Sequence, residues 1–198
     1  GIADGAYIRV LGGASLATPI TNGSATITNT LGTDFGWQYL TGASTSRTFA
    51  VSNAGNATLN ISAVNRTGAH PGDFSILSFP ATVAAGSQSN LVVQFDPSAV
   101  GMRTAVVEIV SDSVGTAAYT FAVGGSGFPD ARQIAIDPGQ ISLVTKEGQP
   151  VPDQAIEVWN GGNLTLEYLV ATNVPWLSVL PNSGSSTGEH DTLTISLA

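Results

Sequence analysis

The chain has 198 residues, enough for one or two domains, and its 42% hydrophobic content supports a buried core and excludes wholesale disorder. Charged residues make up only 10%, against about 25% in ordinary soluble domains, with 14 acids, 6 bases and a net charge of −8. The bases are scattered, which argues against a phosphate-neutralising patch, nucleic-acid binding and anionic membrane surfaces; cysteine is absent, which excludes disulfides and thiolate chemistry.

Period-2 alternation of apolar and β-branched residues predicts strands, in chain order, over 48–52, 59–63, 91–95, 103–110 and 119–123. Phe49 and Val51 share one face, as do Ala105, Val107 and Ile109. Turns are expected at Asn53-Ala-Gly55, Asp96-Pro97, Gly101 and Gly124-Gly125. No long stretch has a capped 3.6-residue period, so helix content should be very low. The glycine cluster and proline of Gly124-Gly-Ser-Gly-Phe-Pro-Asp130 read as a domain junction. Further strands are expected over 133–136, 141–144, 154–159, 164–170, 176–180 and 192–197.

An internal repeat organises these elements. Val51-Ser-Asn53-Ala-Gly55-Asn56-Ala-Thr58-Leu59 recurs as Val158-Trp-Asn160-Gly-Gly162-Asn163-Leu-Thr165-Leu166, 107 positions later, the size of one β-sandwich. Gly55 and Gly162 are expected to take positive φ, with the flanking asparagines bonding the turn. Asn56-Ala-Thr58 and Asn163-Leu-Thr165 also spell glycosylation acceptors, a pattern common by chance in a chain rich in Asn and Thr. The similarity continues from Phe74-Ser-Ile76-Leu77 to Leu177-Ser-Val179-Leu180, and from Leu91–Phe95 to Leu193–Leu197. By this alignment the second copy lacks the last two strands of the first. The fold class expected is therefore all-β, with two tandem immunoglobulin-like β-sandwiches over 1–128 and 131–198, the second lacking its last hairpin.

Gly32-Thr-Asp34-Phe-Gly36, Arg47-Thr-Phe49 with the first repeat motif, Gly68-Ala-His70-Pro-Gly-Asp73-Phe74, Phe95-Asp96-Pro97 and Tyr119-Thr-Phe121 through Gly127 occur in one order and spacing. In these the first domain resembles a bacterial choice-of-anchor D domain, a relative of the ASH and major-sperm-protein immunoglobulin-like folds. The second is similar to a BACON domain in Pro175-Trp176-Leu177-Ser-Val179, Pro181-Asn-Ser-Gly184 and Thr192-Leu193-Thr-Ile195. The resemblance implies a bacterial spacer, adhesion or carbohydrate-associated module at the cell surface or outside the cell. Its implied partners are neighbouring domains of a parent protein, and polysaccharide or a cell-surface protein.

Residues with chemical potential point to no reaction. Gly184-Ser-Ser186-Thr-Gly188 matches the G-x-S-x-G of serine hydrolases, but that motif needs a following helix, and here a strand follows. The serine-rich stretch is read as a hairpin loop. His70 and His190 lie in different domains without metal-ligand spacing, so no metal site is expected. Calcium on loop oxygens of Asp34, Asp73, Asp96 or Asp112 is the weak exception, without the D-x-D-x-D-G spacing; otherwise no cofactor is expected. Glu157 and Glu167 are expected on hairpin strands, where they face each other as solvated surface. Among aromatics, Trp176 and Tyr168 are read as core. Trp37, Tyr39 and Trp159 are the candidates for a sugar platform, against core packing for Trp37 and the domain junction for Trp159. No catalytic residue is assigned. No apolar run approaches the ~20 residues that span a bilayer, and no signal peptide opens the chain. The ends read as cuts inside a longer protein.

Overall fold

A computed structural model describes residues 4–144, 146 and 148–197. The chain divides into two compact units, Gly1–Pro129 and Asp130–Ala198.

The first unit contains β1 (Ile8–Gly12), β2 (Thr18–Ile20), β3 (Asp34–Tyr39), β4 (Thr45–Asn53), β5 (Leu59–Thr67), β6 (Phe74–Ser78), β7 (Thr82–Val83), β8 (Gln88–Phe95), β9 (Gly101–Ser111) and β10 (Ala118–Phe128). One short 3₁₀ turn, Pro71–Asp73, precedes β6. The strands form two five-stranded sheets, ordered β2-β1-β4-β8-β6 and β3-β10-β9-β5-β7. Every ladder is antiparallel except β3 with β10.

Alternation builds the core between the sheets. Every second residue of β8, β9 and β10 points inward: Leu91, Val93 and Phe95, then Ala105, Val107 and Ile109, then Phe121 and Val123. Phe49 of β4 meets Phe121 of β10 across the gap, with ring centroids 5.0 Å apart. At the other end Phe35, Phe74 and Phe95 form a cluster with centroid separations of 5.0 to 6.0 Å.

One expectation changes here. Gly124-Gly125 is not a turn, because β10 runs through it to Phe128. The glycine serves packing: a Cβ on Gly125 would lie 2.5 Å from the Phe95 ring. The strand bulges there against β3.

The second unit contains β11 (Ile134–Asp137), β12 (Gln154–Asn160), β13 (Leu166–Leu169), β14 (Leu177–Leu180), β15 (Ser183–Ser186) and β16 (Asp191–Leu197). Its sheets are β11-β12-β16-β14 and the pair β13-β15. They reproduce β1-β4-β8-β6 and β5-β7 of the first unit. No counterpart of β9 or β10 is present among the described residues. The core is correspondingly small, with Val158 and Leu193 its buried apolar side chains.

Residues 141–144, expected as a strand, join no ladder. They lie between Pro138 and Pro150, and prolines lack the amide donor a ladder needs. The stretch expected as a serine-rich loop is instead the strand β15. Trp176 is 53% exposed rather than core, and Tyr168 is only partly buried.

Phe95 is fully buried and touches both other rings of its cluster. Phe95→Ala, and likewise Phe49→Ala, is expected to cost about 3–5 kcal/mol, measured as a lowered denaturation midpoint of the first unit. An unchanged midpoint would refute the inward assignment.

Candidate functional site

The repeated motif forms a clamp, and the two copies share most of their bonds. Asn53 ends β4 and is buried. Its Oδ1 accepts the N–H of Tyr7 (3.1 Å) and of Gly55 (3.0 Å). Its Nδ2 donates to the carbonyls of Ala57 (2.7 Å) and Val83 (3.0 Å). Asn56 adds a second grip: its Oδ1 accepts the Gly5 N–H at 2.7 Å, and its Nδ2 donates to Asp4 at 3.2 Å.

In the second unit Asn160 Oδ1 accepts the N–H of Gln133 (2.9 Å) and Gly162 (3.0 Å). Its Nδ2 donates to the Leu164 carbonyl. Asn163 Oδ1 accepts the Ala131 N–H at 2.9 Å, and its Nδ2 donates to Asp130 at 2.6 Å. Each asparagine pair thus ties the segment before the unit's first strand to the loop that follows its neighbour in the same sheet, β4 or β12.

The glycines of the motif have a different role from the one expected. Neither Gly55 nor Gly162 has positive φ. Each lets two backbones touch: a Cβ on Gly55 would sit 1.9 Å from the Gly5 carbonyl oxygen, and one on Gly162 would sit 2.2 Å from that of Ala131. Close approach, not turn geometry, demands glycine.

The candidate reactive groups are engaged by backbone. Ser186 is fully buried; its Oγ accepts from the N–H of Asn160 (3.0 Å) and Gly188 (3.1 Å) and donates to the Glu189 carbonyl (2.7 Å). That is a structural bridge between β15 and β12. His70 Nδ1 accepts the Thr104 N–H at 3.0 Å, while its own N–H donates to the Thr104 carbonyl at 2.9 Å. Asp34 accepts the Gly36 N–H at 2.8 Å, closing an Asx turn. Asp112 takes both the backbone and side-chain N–H of Asn60, which lower its pKa. Among the described residues no group of three or more His, Asp or Glu is placed to hold a metal ion.

Glu157 and Glu167 do not face each other. β12 pairs with β11 and β16, whereas β13 pairs with β15 in the other sheet. The 107-residue repeat puts them on neighbouring elements in sequence, not in one ladder. Glu157 instead lies 2.7 Å from His190 Nδ1, both half-exposed. His190 stacks on Trp159, with centroids 4.1 Å apart and planes 7° apart. One face of the Trp159 indole is therefore already covered. Nearby, the Tyr168 hydroxyl donates to Asp191 at 2.7 Å. Burial, and then the Asp191 carboxylate, push its pKa up to about 12.

Trp37 is 59% exposed, not core. Gly36, at φ +76°, breaks the alternation between buried Phe35 and Trp37. Trp37 then lies over Tyr39 (5.5 Å, 83°) and over Phe128 of β10 (5.8 Å, 59°). The rings form an edge-on cluster rather than a flat platform. Sequence reading missed Phe128, which is 47% exposed; the signal was Ser126 and Phe128 alternating beyond the glycine pair. It also passed over Arg47, whose buried Nε has no partner among the described residues. Arg47 lines a cleft of about 550 Å³ with Leu16, Asn29, Thr48 and Asn90.

The two-layered ladders and clamped loops define an immunoglobulin-like β-sandwich. Residues 32–125, within the first unit, match the family model described as HYDIN/CFA65/VesB-like, Ig-like domain. No curated protein matches. Among solved structures, the chain is similar to a protein of unknown function from Porphyromonas gingivalis W83, at 19% identity over 83% of this chain and 79% of that one, with a TM-score of 0.38. It is similar to the secreted serine protease VesC from Vibrio cholerae, at 14% identity over 83% of this chain and 42% of that one, TM-score 0.39. It is also similar to the Vibrio cholerae VesB protease, at 18% identity over 52% and 30% of the two chains, TM-score 0.38. The chain thus spans less than half of either protease.

Removing the Asn53 amide strands four backbone groups, two of them in buried bonds and two part-buried, and a buried group left unsatisfied costs about 1–3 kcal/mol. Asn53→Ala is expected to destabilise the first unit by roughly 2–4 kcal/mol, and the exposed Asn56→Ala by under about 1 kcal/mol; chemical denaturation ranks the two.

Asp73 supplies a pH dependence. It is 4% exposed and pairs with Arg103. Burial alone would raise its pKa, but the bonds from Ser98 and Arg103 outweigh it and hold the carboxyl below its ordinary value. Its contribution is then fully present above about pH 4, the unfolded value, and is lost as pH falls through the folded value. Thermal melts of Asp73→Asn should lack that acid-side component of the parent's curve.

Proposed function

We propose that the chain is a non-catalytic structural module of a larger secreted or cell-surface bacterial protein, its sandwiches acting as spacers between neighbouring domains. One observation carries this reading: Ser186 and His70, the residues best suited to chemistry, serve as hydrogen-bond bridges between backbone segments. The clamps support it further. They tie the entry segments Asp4–Tyr7 and Asp130–Gln133 into the body of each unit, where a load passed along the chain would enter. Low charge and abundant Ser, Thr and Asn give an inert surface, and the reading requires no cofactor. Among the described residues no helix is long and apolar enough to cross a membrane.

The finer choice-of-anchor D and BACON assignments belong to this proposal and rest on the quoted motifs. A domain partition near residues 128 to 131 belongs to it as well. The relative VesC is a secreted protease; an extracellular setting for this chain is likewise part of the proposal.

A second reading, carbohydrate binding, is favoured by the exposed Trp37, with Tyr39 and Phe128 against it. Trp159 contributes less to it, having one face occupied by His190. A glycan array combined with fluorophosphonate labelling separates the classes. The spacer reading expects neither glycan retention nor labelling. Retention abolished by Trp37→Ala would establish the second reading, and labelling at Ser186 would overturn the non-catalytic assignment.

A further inference from the structure

The second unit keeps one layer of its sandwich and part of the other. β12, β16 and β14 lie side by side as β4, β8 and β6 do, and β13 pairs with β15 as β5 pairs with β7. Leu166 stands opposite Ser186 just as Leu59 stands opposite Val83. In the first unit the other edge of β5 carries β9, with β10 beyond it. Among the described residues, β13 has no strand on the corresponding edge.

The inward side chains register the same difference. Phe49, Phe74, Val93 and Phe95 are fully buried. Their counterparts in the repeat, Ile156, Leu177, Ile195 and Leu197, are all partly exposed. In the first unit Phe49 rests on Phe121 of β10 and is fully buried; Ile156 is left partly exposed. Beside these residues opens an apolar cleft of about 400 Å³, walled by Ile141, Leu143, Trp176, Leu177, Ile195 and Leu197.

We propose that this cleft and the bare edge of β13 seat an antiparallel β-hairpin that follows β16 in the polypeptide. Three features define it. Among the described residues the outer edge of β13 joins no ladder, and the N–H and C=O groups of such an edge are satisfied by an added strand. Apart from Gln154 the cleft walls are aliphatic and indole carbon, which calls for an apolar side chain at every second position of the hairpin. Connectivity gives its place: β9–β10 directly follows β8, and β16 is the β8 of this unit. A second copy of the chain is a poor donor, because its own β9–β10 is locked in the first unit with Val107, Ile109 and Phe121 fully buried. The inference concerns folding of the second unit and is independent of the spacer reading.

The test displays the full chain with a library of hairpins attached after Leu197, each the length of Gly101–Phe128 and with alternate positions randomised. The library is sorted for resistance to protease. Survivors should carry apolar residues at the alternate positions, and Ile195→Asp in the acceptor should return them to the sensitivity of the starting chain. In a survivor, amide exchange over Leu166–Leu169 should slow at least tenfold relative to the unextended chain. Resistance that does not depend on the attached sequence, or that survives Ile195→Asp, overturns the proposal. So does an unextended chain whose β13 amides are already as protected as those of β5, whether as a monomer or through a concentration-dependent dimer.

Discussion

One buried amide organises each half of this molecule. A β-sandwich is closed by alternation, yet the segment leading into its first strand lies outside the ladders, where backbone bonds take its carbonyls, such as Ala54 N–H to Tyr7 and Gly161 N–H to Gln133, and its N–H groups need other acceptors. Here Asn53 and Asn160 act as a surrogate ladder, accepting from the entry segment and from the turn with one oxygen. Buried backbone groups must find partners, and a neutral amide supplies both donor and acceptor without the desolvation cost of a charge. The neighbouring glycine is bound to the same device. Only without a Cβ can the loop backbone approach the entry-segment carbonyl of Gly5 or Ala131 closely enough for the bonds to form. The Asn-x-Gly-Asn motif is thus one mechanical part made of three residues.

The architecture was readable from the sequence because it rests on periodicity. The inward faces of β4, β8, β9 and β10 follow from residues alternating in register, and the repeat exposed both the second sandwich and its reduced second layer. Failures fall where local geometry breaks the period. Gly36 turns Trp37 outward within a strand whose previous aromatic, Phe35, is core. Gly124 and Gly125 look like a turn but lie mid-strand, where the Phe95 ring takes the space of a side chain. Short strands such as β2 and β7 carry too few residues to show alternation at all.

The candidate sites were less legible. Spacing identified Ser186 but not its burial, and the hydrogen bonds that engage it come from residues near and far in sequence. The stacking of His190, in the loop before β16, on Trp159 of β12 is a contact that no motif encodes. Phe128 was hidden by its place beside a proline and a presumed boundary, although its strand simply continues to it.

The central claim, that a buried asparagine fixes the entry segment of each sandwich, is tested most directly by amide hydrogen exchange in the unmodified protein. Tyr7 and Gln133 precede β1 and β11, and each donates its N–H to an asparagine side chain. The account predicts that both amides are protected to the same degree as Arg9 and Ala135, the first residues of β1 and β11 whose N–H groups face the ladders with β4 and β12. Exchange at the rate of an open loop at either position would contradict it.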